Sequence, residues 1–131
     1  NADFLVAEPP LGLQLQEPLG IGTGSIRTLE EYVLYRAASG EFKSGAIVLT
    51  SRGWLTNTTS QPLRDYLAGR NVVRALIGIP GINGASSVPL VVCILGNPQV
   101  KSTLIADLGE EWLSALSEGG ALYDDLTAIF S

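Results

Sequence analysis

Three apolar, β-rich runs leave this chain few ways to fold: "GAIVLTS" (Gly45 to Ser51), "VVRALIGIP" (Val72 to Pro80) and "VPLVVCILG" (Val88 to Gly96). A shorter run, "DFLVA" (Asp3 to Ala7), stops at an acid and two prolines and reads as a strand emptying into a loop. Helical patterns separate the first of these strands. Thr28 with Glu31 three residues on is a capping box, Leu29, Tyr32, Val33 and Ala37 fall on one stripe, and Gly40 supplies the stop. A second helix is expected over "SQPLRDYLAGRN", with Ser60 as cap, Pro62 in the first turn, and Leu63, Tyr66 and Leu67 facing inward. Strand, helix, strand, helix, strand describes a parallel α/β sheet. The short connection "GINGASS" implies that the last strand turns back antiparallel.

Between the first strand and the first helix, "LGLQLQEPLGIGTGSIR" is read as a long structureless connection. After Gly96 the pattern predicts a short strand over Thr103 to Ala106 and two helical segments. Trp112, Leu113 and Leu116 mark the first, and Leu122, Leu126 and Ile129 the second. The domain reading is an α/β unit over residues 1–100 and an acidic, mostly helical extension over 101–131 packed on it.

At 131 residues with 46% hydrophobic content, the chain holds one domain's worth of core-forming material. No apolar run reaches the roughly 18 residues of a membrane span, and no basic segment precedes an apolar one in the pattern of a signal peptide, so a cytoplasmic location is expected. The chain has no histidine and one cysteine, which excludes a zinc site, a Ser/His/Asp triad within it, and a disulfide framework. Cys93, inside "PLVVCILG", reads as a small buried hydrophobe. Methionine is absent even at position 1, which suggests a processed product or a cut fragment, with Asn1-Ala2 as a cloning scar. A net charge of −5 argues against a free-standing nucleic-acid binder. From Arg36 to Arg74, however, six basic residues stand against two acids, whereas from Lys101 onward one lysine faces six acids. A solvated surface is the simpler account of that excess, and a polyanion-facing patch is the alternative.

Two stretches are candidate sites. The glycines Gly20, Gly22 and Gly24 form a GxGxG cluster that could let a backbone approach a nucleotide-like cofactor, although a flexible connection is the simpler account of a lone glycine-rich loop. At Glu8-Pro9-Pro10-Leu11, successive prolines fix φ and hold Glu8 extended, so its carboxylate and the local carbonyls have a defined direction. Ligands of open α/β sheets bind beyond the carboxyl ends of the strands, where this segment lies. A rigid strand exit is the bland alternative.

The ordered series of a strand ending in Pro-Pro, a capped helix, a Gly-led strand, "PLRDYLAGRNVVRALIGIPG" and "SVPLVVCILGNP" resembles the later half of the N6-adenine DNA methyltransferase domain of type I restriction-modification systems. The likeness runs from about Leu5 to Asp107, with Ile77-Gly78-Ile79-Pro80-Gly81 and Val88 to Asn97 in matching places. It implies a partial Rossmann-like class I methyltransferase sheet, with its last strand antiparallel. It also implies a mechanism in which a flipped adenine presents its exocyclic amine to the loop. Glu8 would accept from the amine, a carbonyl of Pro9 or Pro10 would accept the second hydrogen bond, and Leu11 would underlie the base. Glu8 and Leu11 stand where the family carries Asn or Asp and an aromatic residue. S-adenosylmethionine would be the cofactor of the parent protein, with none expected in this fragment, because its site lies upstream of the Pro-Pro strand. Duplex DNA and a specificity subunit would be the partners. A truncated sheet also exposes an edge strand, so a homodimer through that edge is expected. The alternatives are a catalytically decayed methyltransferase-like assembly module, and a small-molecule-binding domain that uses the Gly20 loop.

Overall fold

The computed structural model describes residues 3–80, 88–96, 102–109, 111–120 and 122–125. The connection from Gly81 to Ser87, and Asn1, Ala2, Asn97, Lys101, Leu126 and Ile129, lie outside the described residues, as does the side chain of Leu113.

The chain runs through β1 (Phe4–Ala7), β2 (Gln14–Ile21), β3 (Gly24–Thr28), α1 (Leu29–Ala37), β4 (Gly45–Ser51), α2 (Gly53–Thr56), a 3-10 turn (Thr58–Ser60), α3 (Gln61–Arg70), β5 (Val73–Ile79), β6 (Leu90–Leu95), β7 (Leu104–Asp107) and α4 (Trp112–Leu116). Five strands make one mixed sheet in the order β1-β4-β6-β5-β7, so the fold is α/β. β1 pairs parallel with β4, and β7 parallel with β5. β6 is antiparallel to both of its neighbours, β4 and β5. The short return after β5 therefore reverses the chain as the sequence implies, and it inserts β6 between β4 and β5.

Alternation along β4 separates two faces. Ala46, Val48 and Thr50 are fully buried, while Ile47 and Leu49 are half-buried. Ala46 and Val48 join Leu34 of α1, Trp54 of α2, and Leu63 and Leu67 of α3 in one core cluster. The second set faces the opposite way with Ala75, Ile77, Ile79 and Ile94, against Trp112 and Leu116 of α4. Both connections that step across the sheet, β1 to β4 and β4 to β5, thus carry their helices on the same face.

The segment expected to be structureless is instead an antiparallel hairpin of β2 and β3. Its polar alternation disguised a strand with one buried side: Leu15, Leu19 and Ile21 pack against the helix-face cluster, and Ile26 of β3 is fully buried in it. Pro18 falls where the pairing register breaks between Gln14 and Leu19, a place where its missing N–H does no harm. Thr28 caps α1 as expected, accepting from the Glu31 N–H and donating to the Glu31 carboxylate at 2.8 Å. The buried stripe is rotated, however, to Glu30, Leu34 and Ala37. Ser60 makes no capping bond; its hydroxyl donates to Glu31 Oε2 at 2.8 Å. The sequence pattern also held no sign of α2, whose Trp54 donates from Nε1 to Thr50 Oγ1 at 2.8 Å.

Candidate functional site

Parallel strands β1 and β4 end on the same side of the sheet, and α1, which runs back between them, starts there. That end gathers Glu8-Pro9-Pro10-Leu11, Ser51, Arg52 and Glu30. Pro9 is buried, whereas Glu8, Pro10 and Leu11 are exposed, Leu11 at 43%. The parallel pairing ends with Ala7 beside Val48, and the chain leaves the sheet at Glu8. The chain then turns at Leu11 and Gly12, and Leu13 accepts from the Leu29 N–H at 2.8 Å, which anchors the loop to the start of α1.

Glu30 was not singled out by its sequence context, yet it is 4% exposed. Ser51 Oγ donates to its Oε1, while Oε2 is buried without a hydrogen-bond partner. The signal that could have found it is spacing, because Glu30 lies four residues before Leu34 and seven before Ala37, on the buried stripe. Cys93 stands nearby on β6. Burial pushes its thiol up to about 12, opposed by a hydrogen bond with Thr50 and reinforced by the charge of Glu30. At neutral pH it is a protonated core side chain and no nucleophile.

Arg52 ties together the strand ends on this side of the sheet. Its Nε donates to the Leu90 carbonyl at 3.0 Å, and its Nη2 to the Ile79 carbonyl at 3.1 Å and Asp107 Oδ1 at 3.0 Å. A side chain at residue 78 would collide with this guanidinium, since a Cβ on Gly78 would lie 2.7 Å from Nη2. Other members of the central basic excess are similarly engaged. Arg36 pairs with Glu41, which it holds below the usual carboxylate range. Arg64 donates to the carbonyls of Trp54 and Asn57, and Arg70 to that of Ala38. These arginines hold chain segments together and do not form a free cationic stripe.

The glycine cluster sits elsewhere. Gly20 belongs to β2, and Gly22 with Thr23 makes the two-residue turn into β3, with Gly22 at φ +57°. Gly24 lies against the first turn of α3, where a Cβ would fall 2.6 Å from Pro62 Cγ. A hollow of about 700 Å³ between this turn and α3 is lined by Thr23, Thr58, Thr59, Gln61, Asp65 and Tyr66 among others. A cofactor loop of the expected kind leads from a strand into a helix amino terminus. Here the turn leads from one strand of the hairpin into the other. Among the described residues no group of three or more His, Cys, Asp or Glu side chains could hold a metal ion, and no helix is long and apolar enough to cross a membrane.

No protein-family model and no curated protein matches this chain.

Proposed function

We propose that this chain is the later half of an N6-adenine DNA methyltransferase-like domain, carrying the adenine-side loop Glu8-Pro9-Pro10-Leu11 without the half that binds S-adenosylmethionine. The observation that carries the reading is the position of that loop at a free sheet edge. Among the described residues no strand pairs with the outer side of β1, and Val6 on it is 72% exposed. Crossovers between parallel strands are right-handed in about 98% of cases. Both crossovers here step from β1 toward β5 and occupy one face, so strands added beyond β1 by steps in the opposite sense would put their helices on the other. That other face is the one on which Val6, Ile47 and Leu49 are incompletely covered. A sheet extended this way reverses its winding at β1, and ligands bind at such a reversal, beside the Pro-Pro loop.

In this reading Glu8 accepts from the exocyclic amine of an extrahelical adenine, and a carbonyl of Pro9 or Pro10 accepts its second proton. Leu11 packs on the ring as an apolar surface, without the π-stacking worth about 1–3 kcal/mol per base. The contribution of these residues is positioning. Duplex DNA and a specificity subunit belong to the same proposal, as does a cytoplasmic setting. The departures at Glu8 and Leu11, together with their exposure, favour one second reading: a catalytically decayed module whose free β1 edge binds a protein partner or a second copy of the chain.

Backbone amide NMR of the chain titrated with adenosine and, separately, with S-adenosylmethionine tests the proposal. Adenosine is expected to shift the Glu8, Leu11 and Gly12 signals, and S-adenosylmethionine to leave the spectrum unchanged. Shifts at Gly20 to Gly24 with S-adenosylmethionine would overturn the half-domain reading, and silence toward adenosine would favour the assembly module.

A further inference from the structure

Of the six basic residues from Arg36 to Arg74, three are engaged by the fold: Arg36 by Glu41, Arg52 by Asp107 and two carbonyls, and Arg64 by the carbonyls of Trp54 and Asn57. The other three gather at one place. Lys43, Arg70 and Arg74 stand at the end of the sheet opposite the Pro-Pro loop, where β4 and β5 begin and β6 ends. Seven residues of β4 separate the two ends, roughly 20 Å at about 3.3 Å per residue.

A hollow of about 210 Å³ opens there, between the end of α1, the approach to β4 and the end of α3. Ala37, Phe42 and Val72 give it apolar walls, Lys43 and Arg70 give it charge, and among the described residues no acid lines it. Two glycines shape it. Gly40 turns the chain out of α1 at φ +99°, and a Cβ on it would lie 3.1 Å from Arg70 Nη2. A Cβ on Gly96 would run into Arg74 Nε, so a third guanidinium stands at the margin of the hollow.

Helix capping accounts for only part of this charge. Arg70 Nε donates to the Ala38 carbonyl at 3.0 Å, which holds the end of α1 to the end of α3. That bond does not use the Nη nitrogens. Lys43 is exposed, and its ammonium has no hydrogen bond or ion pair among the described residues. Like charges drawn around one small hollow repel each other, and an anion placed between them removes that repulsion.

We propose that this hollow binds a phosphate group, held by the guanidinium fork of Arg70 and the ammonium of Lys43. Guanidinium nitrogens meet phosphate oxygens in pairs, and a lysine adds a point charge. The volume is below the roughly 300 Å³ at which pockets begin to enclose whole drug-sized ligands, so the hollow encloses one anionic group and little more. Inorganic phosphate or the phosphate of a small phosphomonoester has that chemistry. The site does not rest on the adenine reading, because it lies at the other end of the strands.

Amide NMR of wild type, K43Q and R70K, titrated with inorganic phosphate against sodium chloride of equal ionic strength, tests the site. Wild type is expected to show saturable shifts at Gly40, Lys43 and Gly96 with phosphate and none with chloride. K43Q is expected to bind phosphate at least about tenfold more weakly, the scale of a hydrogen bond to a charged group, with an unchanged Tm. R70K keeps the charge without the fork and is expected to lose about threefold. Equal phosphate affinity in wild type and K43Q, or shifts that chloride reproduces, would overturn the site. A fall of several degrees in the Tm of K43Q would overturn it by making Lys43 a structural residue. A short DNA duplex is expected to leave the three signals in place. If the duplex moves them at lower concentration than phosphate does, the small-ligand assignment is overturned in favour of a nucleic-acid backbone.

Discussion

The two faces of the sheet are built from the same strands and finished differently. On the helix face, Ala46, Val48 and Cys93 have no exposure and meet α1, α2, α3 and the hairpin. On the opposite face, α4 packs over the β5 and β7 side, while Val6 remains 72% exposed and Ile47 and Leu49 are half-buried. Identical strand chemistry can thus end in a closed core or in an incompletely covered surface, depending on which way the connections step. Stability should come mainly from the first face, and association from the second.

The largest effect should follow from opening the closed face. Leu34, with no exposure, is its deepest helix residue, so Leu34→Ala should cost about 2–5 kcal/mol in denaturant unfolding. A cost under about 1 kcal/mol would mean that the helices are not the main cover. Cys93 sharpens the same contrast chemically. Its thiol should resist alkylation in the native protein at pH 8 and react at once on unfolding. Because the folded pKa, about 12, lies above the ordinary value of 9.0, the native preference for the neutral thiol is fully present below pH 9 and is lost as pH rises toward 12. Stability should therefore fall across that window, and a Cys93→Ala variant should lose the part due to the thiol. The smallest effect is expected at Val6. Val6→Lys should change stability by no more than about 0.5 kcal/mol, as surface substitutions do, while a charge on the edge strand suppresses strand pairing. If wild type self-associates in sedimentation and Val6→Lys does not, the free edge is the contact; unchanged association would move it elsewhere.

Much of this architecture is legible from residue patterns, and the failures have specific causes. The strands at Gly45–Ser51, Val73–Ile79 and Leu90–Leu95 are marked by continuous apolar runs, and Thr28 and Pro62 mark helix starts correctly. The hairpin escapes such a reading because glutamines, a glutamate and Pro18 fill its outward positions, leaving only Leu15, Leu19 and Ile21 to face the core. Trp54 escapes it because a four-residue helix shows no period. At the candidate site, the Pro-Pro loop can be read directly. Glu30 cannot, since an acid in a first helical turn ordinarily faces solvent, and only its spacing from Leu34 hints otherwise. The six central basic residues suggest a surface for polyanions, yet Arg52, Arg64 and Arg70 each reach backbone carbonyls of other segments.

The insertion of β6 between β4 and β5 also dictates when this molecule can exist. Strands β4 and β5 share no hydrogen bonds with each other, and each waits for Leu90–Leu95. On a ribosome, the chain up to Ile79 would emerge with helices and a hairpin available but with the middle of the sheet missing. Such long-range pairing slows folding and leaves strand edges open during synthesis. The nascent chain should accordingly collapse late and in one step, when β6 arrives, and be most in need of chaperone protection just before it.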